Sequence, residues 1–405
     1  MQEVDVLVVG AGQAGVQVVS ALRSGDFAGS IGLVTDQTSA PYELPPLSKD
    51  YLKGERPFRR MMLRSPAFWT QHDIALRRGK AVTSIDPDAH CVGLTDGTSI
   101  GYGRLVWAAG GYPRNLTCSG ADLLGVHPVR TRRDVLSLRR DFERAAHVAV
   151  IGGGYIGLEV AAAANQAGKS VVIIEALGRV LSRVAGETLS RFYEAEHRAR
   201  GVEIRTGARV SHLVGEEGRV RGVALGDGHV VKADVVVVGI GIDPAVGPLL
   251  AAGAKGGNGV EVDEFCRTSL PDIFAAGDVA AHVNRFAGDR VVRLESVQNA
   301  NDQANVVART ILGDPKPYEA TPWFWSNQYD LKLQTVGLST DHDEAIIRGD
   351  PLSRSFSIAY FKNDRIVAFD CVNAMRDYAQ GRGLLLRRGL DRSRLADPGI
   401  PLKEL

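Results

Sequence analysis

Cysteine is scarce in this chain, and its scarcity excludes a good deal of chemistry. There are four in 405 residues. Cys91, Cys118, Cys266 and Cys371 are widely scattered, and no two have the spacing of a redox dithiol, a disulfide framework or a zinc site. Long apolar runs are missing too. The longest read as strands, broken by glycine or charge, so no membrane partner is expected. Charge of one sign is not in excess: 48 basic residues face 47 acidic ones, which leaves no overall field for nucleic acid. Low-complexity stretches are absent. A buried strand begins almost at the first residue, leaving no room for a signal peptide, so a cytoplasmic location is expected. What remains is an ordinary globular mixture, 44% apolar and 23% charged. The length suits two or three domains.

Glycine, by contrast, is plentiful, and two clusters of it carry most of the information. Gly10-Ala11-Gly12-Gln13-Ala14-Gly15 follows the apolar run 4–9, and Gly152-Gly153-Gly154-Tyr155-Ile156-Gly157 follows the run 148–151. In such a motif the first glycine permits a tight turn and the second lets backbone approach a pyrophosphate. The third lets helix pack on strand, with the helix N-terminus facing the phosphates. One such motif is a weak signal. Two, each in a strand–turn–helix setting, imply two nucleotide cofactors on one chain. The surroundings repeat as well. Helix patterns follow at 16–23 and 158–167, and second strands at 31–34 and 170–174. Strand patterns then run through 74–77, 81–85, 91–94 and 105–107, matched by 202–205, 209–213, 220–225 and 235–238. Alternation in the middle strands suits an antiparallel ribbon. Each half therefore reads as a βαβ unit with an inserted meander.

Acidic residues end the second strands, Asp36 in one copy and Glu175 in the other, placed to take ribose hydroxyls. A carboxylate there repels a 2′-phosphate, which favours NADH over NADPH. Arg179 and Arg183 follow closely; they either act on the nucleotide or lie on a solvated face. Residues 273–276 form a strand that delivers Gly277-Asp278 at an expected helix start. Asp278 either caps that helix or accepts from a flavin's ribityl hydroxyl. Two fingerprints upstream favour the flavin, which assigns FAD to the first copy and NADH to the second. From about residue 323 the texture changes to aromatics and alternating strands, with helical patterns at 375–381 and 382–389. The expected domains are 1–112 with 243–322 for FAD, 113–242 for NADH, and 323–405 as a C-terminal α+β domain.

Six stretches now support a resemblance: 41–49 (Pro-Tyr-Glu-Leu-Pro-Pro-Leu-Ser-Lys), 152–159, 179–185, 275–279, 295–300 and 322–330. On these residues the chain resembles the FAD-containing, NADH-dependent ferredoxin reductases of bacterial oxygenase systems. The resemblance implies an α/β fold of two Rossmann-like dinucleotide-binding domains, glutathione-reductase-like, plus the C-terminal α+β domain. It implies that Lys49 sits by the flavin and pairs with Glu159. It also implies FAD contacts at Gly10, Gly12, Ala14, Gly15, Asp36, Val82, Ala109, Arg130, Asp278 and Val297. On the NAD side it implies Gly152, Gly154, Tyr155, Ile156, Gly157, Glu159, Glu175, Arg183, Gly239, Ile240 and Gly241. The family's usual arginine before Pro45-Pro46 is here Leu44, which removes a cationic contact.

The implied chemistry follows. NADH delivers two electrons as a hydride, a [2Fe–2S] protein accepts one at a time, and a flavin does both. Related disulfide reductases and peroxidases need cysteine beside the flavin, and residues 39–52 contain none. Electrons then leave by tunnelling, with Trp323 and Trp325 either lining the exit or serving as core. The implied partner is an acidic [2Fe–2S] ferredoxin, held transiently and feeding an aromatic-ring dioxygenase or a cytochrome P450. Docking candidates are Arg56, Arg59, Arg60 and Arg64, and Arg285, Arg290 and Arg293, which also read as solvated faces. The chain is expected to be a monomer or weak homodimer. Two other readings use the same scaffold. One is a rubredoxin or monodehydroascorbate-type reductase. The other is a non-enzymatic NADH-sensing flavoprotein like apoptosis-inducing factor, which calls for long insertions or basic patches not evident here.

Overall fold

The apolar run before the first glycine cluster becomes strand Gln2–Val9, the middle of a parallel sheet. The computed structural model describes residues 2–405, which fall into two compact units. The first unit holds residues up to 44, then 58–112 and 243–322; the second holds 45–57, 113–242 and 323–405.

In the first unit, Gln2–Val9 lies between Ile31–Thr35 and Ser99–Trp107, parallel to both. Ile74–Arg78 adds outside Ile31–Thr35, and Ile273–Ala275 outside Ser99–Trp107, again in parallel. The sheet is covered on both faces, so its strands read as nearly continuous apolar runs. Alternation splits them between two cores: Val6, Val8 and Leu33 belong to one, and Leu7, Val9 and Val34 to the other. Helix Gln13–Ser24 covers the first face. The antiparallel arm Val82–Asp86 and Cys91–Leu94 joins the start of the long strand Ser99–Trp107.

The second unit repeats this plan. His147–Ile151 lies between Ser170–Glu175 and Val235–Val238, with Glu203–Thr206 and Val126–Pro128 outside them, all parallel. Its antiparallel insert, Val210–Glu216, Arg219–Leu225 and Val230–Lys232, forms a separate three-stranded sheet. The C-terminal segment builds a five-stranded antiparallel sheet in the order Trp323–Gln328, Leu331–Gly337, Arg365–Val372, Ser355–Lys362 and Glu344–Asp350.

Three expectations are corrected. Ile74–Arg78 and Glu203–Thr206 are outer strands of the parallel sheets, not arms of a meander; apolar strands of that length read alike in either role. No helix starts at Asp278. A turn follows Ile273–Ala275 and leads into strand Ala280–Asn284, while the helix Val297–Ile311 begins later, capped by Ser296. The helical pattern at 382–389 reduces to the short 3₁₀ turn Arg382–Leu384. Residues 45–57 belong to the second unit, tied there by hydrogen bonds of Ser48 and Tyr51 to Glu159 and Arg132.

Candidate nucleotide sites

The two glycine turns are built alike. Gly10 has φ +102°, and a Cβ there would lie 2.2 Å from the Ala108 carbonyl oxygen. Gly152 has φ +107°, and its Cβ would lie 2.3 Å from the Gly239 oxygen. Both demand glycine sterically and conformationally. At Gly15 and Gly157 a Cβ would fall 1.8 Å and 2.0 Å from the oxygens of Gly10 and Gly152. There the helix presses on its own turn. The middle glycines differ. At Gly12 and Gly154 a Cβ would meet nothing within 4 Å. No packing reason explains glycine at these two places; an open approach to backbone does.

Helix capping points the same way. Helix Arg132–Phe142 starts with a Thr131–Asp134 capping box, and Val297–Ile311 starts with a Ser296 cap. Helices Gln13–Ser24 and Tyr155–Gln166 begin at Gly12 and Gly154 with no side-chain cap. Their first N–H groups stay directed at the open space, where an anion is stabilised. The residues therefore fit a dinucleotide at each turn.

The acidic residues differ between the copies. Asp36 is exposed just past strand Ile31–Thr35. Glu175 accepts the Gly153 N–H at 2.6 Å and the Leu177 N–H at 2.8 Å. Its carboxylate is thus fixed at the mouth of the turn. Arg179 donates to the carbonyls of Ala185 (2.9 Å) and Ser182 (3.3 Å), so it closes its own loop. Arg183 in that loop is exposed. Ile156 is exposed at the helix start, and Gly239, Ile240 and the left-handed Gly241 follow strand Val235–Val238.

In the first unit, Ala109, Val82 and Val297 are partly buried. The Gly277-Asp278 turn is set by Gln303, which the sequence does not mark, and by Arg293, which the sequence offers only as a docking cation. Gly277, at φ +80°, packs against Ala14 and Ala300 and donates its N–H to Gln303 Oε1 at 2.8 Å. Arg293, nearly buried, donates to the Asp278 carbonyl at 2.9 Å and pairs with Glu295 at 2.8 Å. The left-handed glycine keeps Asp278 half-exposed beside the first fingerprint helix. Arg130 lies in the second unit, its backbone N–H on Asp134 at 3.3 Å.

Lys49 Nζ lies 2.7 Å from Glu159 Oε2, with side chains 14% and 3% exposed. A buried carboxylate needs donors for its remaining lone pairs. Ser48 Oγ donates to Oε2 and Ser326 Oγ to Oε1, each at 2.6 Å. Neither serine was singled out from sequence. They lie 111 and 167 residues from Glu159, and only the fold joins them. Alternation along strand Trp323–Gln328 explains the meeting. Phe324, Ser326 and Gln328 share one face; Phe324 packs on Tyr155 at 4.6 Å, and Ser326 reaches Glu159 one helical turn on. Trp323 and Trp325 occupy the other face, with ring centroids 5.6 Å apart.

Several docking candidates are already committed. Arg64 donates to Ser20 and Leu63 and covers the Phe68 ring, Arg285 donates to Glu319 and covers Phe286, and Arg293 serves the Asp278 turn. Arg59 is exposed on the turn Phe58–Met61. All four cysteines are free thiols, and burial pushes those of Cys266 and Cys371 far above the ordinary thiol range. Among the described residues no group of His, Cys, Asp and Glu could hold a metal ion, and no helix is long and apolar enough to cross a membrane.

Two glycine turns of this construction, each with an acidic residue after its second strand, define an oxidoreductase that takes two nucleotides. The chain belongs to the pyridine nucleotide-disulphide oxidoreductase family, whose pattern matches residues 4–304, and residues 323–405 match the reductase C-terminal family. It is 53% identical to the 5,5′-dehydrodivanillate O-demethylase ferredoxin reductase subunit of Sphingobium sp., over 100% of this chain and 99% of that one. A ferredoxin–NAD(P)⁺ reductase of Sphingomonas sp. is 52% identical, over 98% of this chain and 97% of that one. Among solved structures, the covalent putidaredoxin reductase–putidaredoxin complex superposes with a TM-score of 0.95 at 40% identity, over 100% of this chain and 98% of that one.

Proposed function

We propose that this chain is an NADH-dependent ferredoxin reductase that serves an oxygenase system, an aromatic-ring dioxygenase or a cytochrome P450. The observation that carries this reading is the pair of open, uncapped glycine turns in a chain with no cysteine among residues 39–52. The relatives' reductase activity supports it. Bound FAD supplies the conversion of a hydride into single electrons. The protein's residues place, shield and tune.

In this reading Gly10, Gly12 and Gly15 admit the FAD pyrophosphate to the N-terminus of helix Gln13–Ser24, and Ala14 leaves room for it. Asp36 takes the adenosine ribose. Ala109, Val82 and Val297 line the apolar approach, Arg130 adds a cation, and Asp278 accepts from the ribityl chain. Gly152, Gly154 and Gly157 admit NADH to helix Tyr155–Gln166, with Ile156, Gly239, Ile240 and Gly241 around it. Glu175 takes the adenosine ribose hydroxyls and Arg183 meets phosphate charge. Lys49 Nζ, paired with Glu159, presents a cation that favours negative charge on the flavin. No side chain need act as acid, base or nucleophile.

The domains follow: 1–112 with 243–322 for FAD, less the 45–57 segment, 113–242 for NADH, and 323–405 as the C-terminal α+β domain. The partner is an acidic [2Fe–2S] ferredoxin in a transient, salt-sensitive complex, with Arg59 and Arg60 as docking cations. The enzyme works in the cytoplasm as a monomer or weak homodimer. Anaerobic mixing with NADH and a [2Fe–2S] ferredoxin tests the reading. Flavin bleaching must be followed by ferredoxin reduction; bleaching with no onward transfer rejects it.

A further inference from the structure

Glu159 is supported by more than its neighbours. Ser326 Oγ, which donates to Glu159 Oε1 at 2.6 Å, itself accepts from Gln328 Nε2 at 3.3 Å. Gln328 Oε1 faces His197 Nε2 at 2.9 Å, and His197 Nδ1 faces the Tyr329 hydroxyl at 3.3 Å. Ser326, Gln328 and His197 are all buried. The amide oxygen can only accept, so His197 Nε2 carries the hydrogen and Nδ1 accepts from Tyr329. Burial holds the imidazole neutral, down at about 4, which suits that single tautomer. Every donor in the series Tyr329, His197, Gln328, Ser326 then points toward the Glu159 carboxylate. Hydrogen bonds so aligned polarise one another. The guanidinium of Arg200 lies over the Tyr329 ring at 4.4 Å and closes the outer end.

We propose that Ser326, Gln328 and His197 are positioning residues: an aligned donor chain that fixes the Glu159 side chain and, through it, that of Lys49. The proposal rests on the reading of Lys49 as the flavin-tuning cation. The chain orients rather than conducts, because the Gln328 amide does not pass a proton. It also gives the C-terminal sheet a part in the reaction, since strand Trp323–Gln328 brings two of the three residues.

The test uses purified holoenzyme with Ser326→Ala, Ser326→Thr, His197→Phe, Lys49→Met and the double variant Lys49→Met/Ser326→Ala. Two readouts are taken: the rate of flavin reduction at saturating NADH, and the long-wavelength absorbance band of the flavin–nicotinamide pair. Ser326→Ala should slow reduction about tenfold, a fraction of what a hydrogen bond to a charged group is worth. It should also weaken the band while leaving the apparent Kd for NADH unchanged. Ser326→Thr keeps the donor and should restore both. The double variant should be no slower than Lys49→Met alone, because both act through one ammonium. If Lys49→Met slows reduction and Ser326→Ala does not, the donor chain has no functional role and the Lys49 reading stands. If Lys49→Met leaves rate and band unchanged, both ideas fall. Additive losses in the double variant also overturn the proposal. Should Ser326→Ala fail to fold, His197→Phe tests the far end: a smaller loss of the same kind supports the chain, and an unaltered band and rate overturn it.

Discussion

The carboxylate of Glu175 accepts the Gly153 N–H at 2.6 Å, so an acidic side chain is held against the second glycine turn. The first copy has no such latch, and Asp36 stays exposed. A ribose with free hydroxyls can be received at Glu175, whereas a 2′-phosphate would meet a fixed negative charge. Glu175→Ala should therefore narrow the NADH-over-NADPH preference in kcat/KM by about tenfold, about 1.4 kcal/mol of discrimination. Arg179 is tied up within its loop and should not compensate. An unaltered preference would remove Glu175 from this role.

The glycines divide by physical cause, and the division is measurable. Gly15→Ala drives a Cβ to 1.8 Å from the Gly10 oxygen, and should lower stability by about 1–3 kcal/mol. Gly12→Ala meets nothing within 4 Å. It should leave the melting temperature of the flavin-free protein within a degree or two while reducing the flavin retained on purification. Gly154→Ala should raise the KM for NADH and spare flavin content. Flavin content and melting temperature that fall together in all three variants would contradict this division.

Stability should depend on pH through buried titratable groups. Burial raises the Asp370 carboxyl to about 7, against the hydrogen bond from Tyr360, which works to lower it. Its folded value lies above its unfolded one, near 3.8. Between these values the folded chain keeps a proton that the unfolded chain has released. Stability from this group therefore falls as pH rises from about 4 to about 7, then levels off. Asp370→Asn removes the effect. Its stability relative to the parent should be higher by about 2–3 kcal/mol at pH 8 than at pH 5, read from urea unfolding at the two pH values. An equal difference at both pH values would contradict this assignment.

His197 and His282 act oppositely. Burial lowers both to about 4 from 6.5, so the unfolded chain binds protons first as pH falls. Stability from each is lost between about 6.5 and 4. These two histidines, joined by His127, which burial also lowers, outweigh the one aspartate and give a net rise in stability from pH 4 to 6.5, then a shallow fall as Asp370 ionises. A pH scan of melting temperature should peak near pH 6 to 7. A monotonic climb to pH 9 would exclude Asp370 as a buried acid of this strength.

Much of the fold is legible in the residues because its strongest signals are local. The glycine turns carry their own steric reason, and four consecutive buried valines at Val235–Val238 can only be an inner strand. What misled is equally local. Asp278 looks like a helix cap because aspartate after glycine serves either purpose, and the turn that decides is made by Gln303 and Arg293 from elsewhere. Ile74–Arg78 was legible as a strand but not as a parallel one, since pairing direction leaves no mark on a five-residue pattern. The donors to Glu159 were invisible for a different reason. A serine has no periodicity to betray it, and Ser326 becomes informative only when the sheet lays it on the fingerprint helix.

The most direct test of the central claim counts electrons. With one equivalent of NADH under anaerobic conditions, the enzyme should reduce two equivalents of a [2Fe–2S] ferredoxin, because a hydride carries two electrons and the cluster takes one. The yield should be the same after its thiols are alkylated. One ferredoxin or none reduced per NADH, or a yield abolished by alkylation of the folded enzyme, would contradict thiol-free electron splitting.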